Sequence, residues 1–129
     1  MFRNEVSEFI YKRTYARWLE EEKRREEWPE TIDRFISFLK SERGEIIPEK
    51  AYRKIEKYLL EFAVMPSMRF LCAAGLPASR DNTVIYNCSF AKMNCIDAFA
   101  ECLQILMCGT GFGFSVEKEE VKKLPKIPE

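Results

Sequence analysis

The sequence contains no histidine, and none of its five cysteines forms a CxxC pair. Zinc sites built on histidine, or on cysteine together with histidine, are therefore excluded, and no metal site is predicted. Lys and Arg number 21 and Asp and Glu also number 21, which gives a net charge of +0. Without an overall positive field, the chain is not expected to bind nucleic acid.

Long apolar runs are also missing. No stretch reaches the length of about eighteen apolar residues that a membrane helix needs, and charges interrupt the first residues, MFRNEVSEFIYKRTYARW, where a signal peptide would be apolar. These features predict a cytoplasmic protein with no membrane association, a compartment in which thiols stay reduced. The odd cysteine count does not suit a structural disulfide framework. A cysteine with a function is therefore expected to be catalytic or redox-active.

Helical periodicity dominates the first half of the chain. Apolar residues at helical spacing predict a first helix that extends to Leu19 and ends in the exposed charged run EEEKRREE. Pro29 in a first helical turn predicts a second helix that stops at Gly44, and Pro48 opens a third with an apolar stripe. These helices define a predicted N-terminal helical region, residues 1–62.

The second half of the chain has less charge and more small, β-branched and aromatic residues. After a short helix and a loop, the segment TVIYNCSFAKM predicts a strand, Asn94 a helix N-cap and GFGFSVE a second strand. The strand, helix and strand over 83–117 are long enough for a crossover between parallel strands. The predicted fold class is mainly α with a small β part, and two parallel strands alone suggest a piece of a larger α/β body.

The glycine-rich stretch CGTGFGFS follows a helix and leads into a strand, which is the reverse of a dinucleotide-binding fingerprint, and no P-loop pattern is present. Two interpretations remain open. Gly109 caps the helix and the other glycines ease the start of the strand, or the missing side chains let a ligand lie against the backbone.

The cysteines divide by their sequence context. Cys72, Cys95 and Cys102 stand where a small apolar residue would serve, which favours plain packing. Packing is also favoured for Cys108, beside the glycines. Cys88 lies between Asn87 and Ser89 in an otherwise apolar strand, and it is the candidate for chemistry.

Several motifs occur in a fixed order: RTYARWL at 13–19, MPSMRFL at 65–71, DNTVIYNCSF at 81–90, ILMCGTGFGFSVE at 105–117 and KLP at 123–125. In order and spacing they resemble the N-terminal portion of the adenosylcobalamin-dependent, class II ribonucleotide reductases, and they are most similar to the monomeric branch. The resemblance implies a ten-stranded α/β barrel, of which residues 63–129 would contain the first strand-helix-strand unit. It implies an enzyme that converts ribonucleotides to 2′-deoxyribonucleotides by thiyl-radical chemistry, for deoxyribonucleotide synthesis and DNA replication.

The resemblance also assigns roles to particular residues. Cys88 would be one cysteine of the redox pair, on the first barrel strand, with Asn87 beside it facing the sugar or phosphate. Met65 and Ser67 would bind the substrate phosphates, and because relatives usually have threonine in place of Met65, only the amide of that residue can serve. Thr110 and Gly111 would lie against the ribose.

The implied cofactor is adenosylcobalamin, held mainly by segments outside this chain. The implied partners are the ribonucleotide substrate, the remainder of the reductase barrel in cis or in trans, and a dithiol or thioredoxin-type reductant. Since the radical cysteine and its neighbouring carboxylate belong to later segments of such enzymes, the fragment is expected to be inactive alone. The alternative is a non-catalytic helical remnant or partner-binding module with exposed apolar strands.

Overall fold

The computed structural model describes residues 2–44 and 46–126. Its elements are α1 (Glu5–Thr14), β1 (Trp18–Leu19), β2 (Arg24–Arg25), α2 (Trp28–Arg43), α3 (Glu49–Leu60), α4 (Met68–Ala73), α5 (Leu76–Arg80), a 3-10 helix (Asn82–Ile85), β3 (Cys88–Lys92), α6 (Asp97–Met107), β4 (Gly111–Ser115) and α7 (Lys118–Val121). The described residues are thus mainly helical with two small sheets, which confirms the predicted balance of helix and strand.

The chain divides into two compact units, Met1–Arg80 and Asp81–Glu129, called here the helical unit and the strand unit. The predicted boundary after residue 62 concerns the domains of a larger barrel protein, and it stays a prediction. None of the helices in the described ranges is both long and apolar enough to cross a membrane.

The second helix begins and ends where the sequence predicts, and the third begins where the sequence predicts. Pro29 lies in the first turn of α2, Glu27 and Glu30 form a capping box there, and the helix ends at the C-cap Gly44. α3 follows its N-cap Pro48. Both helices pack their apolar stripes into one core of buried side chains, namely Tyr11, Ala16, Trp28, Ile32, Phe35, Ile36, Tyr52, Leu59, Leu71 and Ala74.

The prediction of a helix that extends to Leu19 is wrong. α1 ends at Thr14, and the charged run turns the chain between β1 and β2, which pair antiparallel with Trp18 opposite Arg25. The reason is the burial of Glu26 further along the chain. Because the Glu26 side chain has to reach the core, the backbone before it turns back and the helix cannot continue.

Glu26 is the centre of a buried polar network in the helical unit. Its carboxylate accepts hydrogen bonds from Arg34 Nε (2.7 Å) and Nη2 (3.0 Å), from the Thr31 hydroxyl (2.8 Å) and from the Arg17 amide (3.1 Å). Burial by itself raises the pKa of Glu26, but the hydrogen bonds from Arg34, the Arg17 backbone and Thr31 outweigh it and lower the pKa below its ordinary value. The carboxylate is therefore held in its charged form.

The same network joins two of the sequence motifs. Arg34 Nη1 donates to the carbonyls of Leu71 (3.1 Å) and Ala74 (2.9 Å), and Arg17 Nη2 donates to the carbonyl of Cys72 (3.1 Å). Gly75 has a φ of +101°, and a Cβ there would lie 3.2 Å from Arg17 Nη1. Arg17, from the RTYARWL segment, and Arg34, from α2, are both half-buried, and they bind backbone carbonyls over residues 71–74.

The strand unit contains the predicted parallel crossover. β3 pairs with β4 in parallel, from Cys88 opposite Gly111 to Lys92 opposite Ser115, and α6 connects them. Residues 83–87 do not belong to the strand, because the side chain of Asp81 accepts the Thr83 amide (2.8 Å) and caps a 3-10 helix instead.

Asn94 does not cap α6, contrary to the prediction. The helix begins at Asp97 after the N-cap Ile96, and the amide group of Asn94 donates to Glu120 (3.2 Å). Lys92 (3.0 Å) and Lys123 (2.8 Å) also pair with that carboxylate and, together with Asn94, lower its pKa to about 2. Asn94 therefore anchors α7 rather than starting α6.

Candidate functional site

The candidate site is built on the paired strands of the strand unit. Along β3 the exposed and half-buried residues alternate, and Cys88 and Phe90 are on the exposed face. The residues opposite them on β4 are Gly111 and Gly113. A Cβ on Gly111 would lie 3.7 Å from Cys88 Sγ, and one on Gly113 would lie 3.4 Å from Phe90 Cδ2. The thiol of Cys88 is thus exposed beside bare backbone.

Asn87 lies at the entrance to β3, next to that thiol. Its carbonyl accepts the Gly111 amide (2.8 Å), which sets the register between the two strands. The Ser89 hydroxyl donates a second hydrogen bond between the strands, to the carbonyl of Gly111 (3.2 Å). The structure therefore brings Asn87, Cys88 and Gly111 together.

Thr110 is next to Gly111 but differs from it in exposure. Its side chain is 2% exposed, and its hydroxyl lies 2.9 Å from the carbonyl of Thr83 and 3.0 Å from that of Tyr86. The hydroxyl therefore serves the fold, and because the whole residue is buried, the ribose contact predicted for Thr110 is not supported by its exposure and stays a prediction. Gly109 has a φ of +78° and follows the C-cap of α6, which confirms the helix-cap interpretation for this glycine.

Met65 and Ser67 belong to the helical unit. Ser67 is the exposed N-cap of α4, and its hydroxyl oxygen accepts the Phe70 amide (3.3 Å), so its proton is free to be donated elsewhere. Met65 is half exposed and lines an open, mainly apolar cavity of about 510 Å³ together with Tyr11 and Trp28.

The other cysteines have different surroundings. The Cys108 thiol donates to Asp81 Oδ2 (3.2 Å), and this hydrogen bond, with burial and the negative charge, raises the pKa of Cys108. A raised pKa disfavours the reactive thiolate. Cys72 and Cys102 are half-buried, but Cys95 is exposed, so the predicted packing role of Cys95 is not observed.

The described residues contain no group of three or more His, Cys, Asp or Glu side chains that could hold a metal ion. Sequence reasoning missed the buried Glu26 and Arg34, which look like solvated charges in the sequence. Glu26 precedes Glu27, the N-cap of α2, and nothing in the sequence separates it from the other charges of EEEKRREE.

The sequence profile of the ribonucleotide reductase alpha domain matches residues 1–74, which is more than half of the chain. This chain belongs to the ribonucleotide reductase family. Similar curated proteins include the adenosylcobalamin-dependent ribonucleoside-triphosphate reductases of Lactobacillus acidophilus, 29% identical over 154 residues, and of Levilactobacillus brevis, 27% identical over 155 residues. Each alignment covers 95% of this chain and 21% of the relative.

The fold is also that of a solved structure, described as a B-12 dependent (class II) ribonucleotide reductase. It superposes with a TM-score of 0.76 at 24% identity, over 92% of this chain and 21% of the other. The chain therefore spans about a fifth of the length of these relatives, and it has the fold of the corresponding part of the solved structure.

Proposed function

We propose that this chain is the N-terminal part of an adenosylcobalamin-dependent ribonucleotide reductase and that Cys88 is one of its two reducing thiols. The observation that supports the role of Cys88 is its position: an exposed thiol on a parallel strand, directly opposite a glycine. Cys108 does not offer the same reactivity, because its thiol donates to Asp81 and its pKa is raised.

The proposed reaction replaces the ribose 2′-hydroxyl by hydrogen. Two thiols supply two electrons and two protons, the 2′ carbon–oxygen bond breaks, a carbon–hydrogen bond forms and one water leaves. The thiols end as a disulfide, which a dithiol or thioredoxin-type reductant returns to the thiol state. Cys88 supplies one thiol, and the remainder of the reductase supplies the other together with the radical cysteine.

The substrate would lie along the exposed face of β3 and β4. Gly111 lets the ribose approach the backbone beside the thiol, and Asn87, at the entrance to β3, would face the sugar or phosphate. The Ser67 hydroxyl and the Met65 amide are the proposed phosphate donors in the helical unit. When bound, adenosylcobalamin supplies the radical that starts the reaction, and we assign its binding to other segments of the protein.

The barrel that this assignment requires would cover apolar side chains that are exposed in the strand unit. The N-cap residue Ile96 and the α6 residues Phe99, Leu103, Leu106 and Met107 are between 49% and 79% exposed. The opposite side of the helix carries the buried Ala98 and the half-buried Cys102 and Ile105. A helix that is apolar on both sides is typical of a protein interior, which supports our proposal that this chain contributes the first unit of the ten-stranded α/β barrel implied by the motif resemblance.

Complementation tests the proposed function. The chain alone is expected to make no deoxynucleotide, and turnover is expected when it is mixed with a polypeptide carrying the rest of the reductase, adenosylcobalamin, a ribonucleotide and a dithiol. The measurement is deoxynucleotide formed per assembled complex, with the complementary polypeptide alone as the control. Turnover by the isolated chain, or none by a complex that is shown to assemble, would contradict the proposal.

Gly111→Val should block substrate binding in the complemented enzyme. Because a Cβ at this position would lie 3.2 Å from the Asn87 carbonyl oxygen and 3.7 Å from Cys88 Sγ, the larger side chain occupies the space proposed for the ribose. We expect the Kd for ribonucleotide to rise at least about tenfold, or about 1.4 kcal/mol, in a complex that still assembles, with some loss of Tm from the 3.2 Å contact. Gly113→Val adds the same side chain two residues further along β4 and is the matched control.

Equal affinities in the Gly111→Val and wild-type complexes would reject the ribose contact. A fall in Tm without a change in Kd would show instead that the glycine serves the strand pairing.

A further inference from the structure

Three hydrogen-bonded links connect the segment that enters β3 to the segment that enters β4. The Thr110 hydroxyl lies 2.9 Å from the Thr83 carbonyl oxygen and 3.0 Å from that of Tyr86. The Asp81 carboxylate accepts both the Thr83 amide (2.8 Å) and the Cys108 thiol (3.2 Å). The Gly111 amide donates to the Asn87 carbonyl (2.8 Å). All of these links lie within the few residues before Cys88 and before Gly111.

Thr110 is the most enclosed of the groups that form these links. With 2% of its surface exposed, its hydroxyl is out of reach of bulk water, and the loss of that hydroxyl would remove the donor shared by the Thr83 and Tyr86 carbonyls. Its backbone amide in turn donates to the Ile105 carbonyl (3.3 Å) at the end of α6. One residue therefore fixes the end of α6, the start of β4 and the turn before β3.

The consequence for Cys88 follows from chain geometry. Only Asn87 separates Tyr86, whose carbonyl Thr110 holds, from Cys88 at the start of β3. A rotation of the backbone at Tyr86 or Asn87 changes the direction in which the thiol points. Reacting groups lose rate steeply when they are displaced by about 1 Å, so the restraint on Tyr86 bears directly on a reducing thiol.

On the basis of the proposed function, we propose that Thr110 is a positioning residue for Cys88. Its hydroxyl holds the Tyr86 and Thr83 carbonyls and so fixes the thiol opposite Gly111. This role differs from direct contact between the Thr110 side chain and the ribose.

The test uses the reductase assembled from this chain and the rest of the protein. Thr110→Val keeps the side-chain shape and removes the hydroxyl, and Thr110→Ser keeps the hydroxyl. Ser115→Ala is the matched control, since it removes a hydroxyl from the other end of β4. For each protein, kcat and KM are measured together with amide hydrogen exchange in peptides covering 82–89 and 97–107.

For Thr110→Val we expect kcat to fall about tenfold or more with KM little changed. Exchange should become faster over 82–89 and not over α6, and Thr110→Ser should restore both properties. Unchanged exchange over 82–89, equal acceleration over α6, a rise in KM with kcat retained, or failure of Thr110→Val to assemble would each overturn the proposal. If the wild-type complex makes no deoxynucleotide, the proposed function fails and this role fails with it. The exchange data still show whether Thr110 restrains the turn.

Discussion

Replacing Cys88 by serine is expected to abolish deoxynucleotide formation in the complemented enzyme, with a loss of at least about 10³-fold, or about 4 kcal/mol in the activation barrier. Serine keeps the size and hydrogen bonding of the side chain but cannot form a disulfide, so the two electrons needed at the ribose are no longer available. Because Cys88 is exposed on the strand surface, the substitution leaves no buried hydroxyl. Assembly and nucleotide binding should therefore persist.

The matched controls are Cys72→Ser and Cys102→Ser, at half-buried cysteines of the same chain. These variants should lose at most about 3 kcal/mol of folding stability, because a hydroxyl becomes partly buried. They should keep their turnover per assembled complex. The measurement is product formed by each variant, normalised to assembled protein. Near-wild-type reduction by the Cys88→Ser protein would remove the redox role and the main residue-level support for the proposed mechanism.

Arg34→Met should destabilise the helical unit by about 3–5 kcal/mol, because it leaves the Glu26 carboxylate buried without its cation. The side chains of Arg34 and Glu26 are 15% and 5% exposed, and the guanidinium also holds the Leu71 and Ala74 carbonyls. Denaturant unfolding of the full chain, followed by the fluorescence of the buried Trp28, measures the change. Arg24→Met, which breaks ion pairs with the exposed Glu22 and Glu30, is the control and should cost no more than about 1 kcal/mol.

The pH dependence gives a second readout of the same network. Since the pKa of Glu26 is lowered in the folded chain, its contribution is fully present above the ordinary glutamate value of 4.5 and is lost as the pH falls below it. Glu26→Gln should therefore weaken the fall in stability between neutral and acidic pH. If Arg34→Met and Arg24→Met had equal effects, or if Glu26→Gln left the acid limb unchanged, the network would not have the stabilising role inferred here.

Much of the architecture could be predicted because its signals are local. Pro29 and Gly44 mark the ends of α2, Pro48 marks the start of α3, and the alternation of strand and helix patterns predicts the parallel crossover. Cys88 could be selected because polar neighbours flank it within an apolar strand. Each of these signals acts within a few residues of the element that it defines.

The errors arise where a distant group decides the local structure. The end of α1 depends on Glu26, whose carboxylate is buried and bound by Arg34 of α2. Asn94 has a good capping side chain, but Glu120, from α7, is its partner. Thr110 would suit a ligand-binding role by residue type, yet its hydroxyl is turned toward the carbonyls of a 3-10 turn. These side-chain pairings cannot be predicted from hydrophobic periodicity or from the helix and strand propensities of the residues.

The exposed apolar side of α6 affects how the chain behaves during handling. On the proposed function, the apolar surface formed by side chains such as Phe99, Leu103 and Met107 is open both to a barrel segment and to a second copy of the chain. Self-association and productive assembly then compete for one surface, and the yield of active complex depends on protein concentration and on the order of mixing. Adding the complementary polypeptide before the chain is concentrated favours the productive pairing. Light scattering before mixing measures how much of the chain has already self-associated.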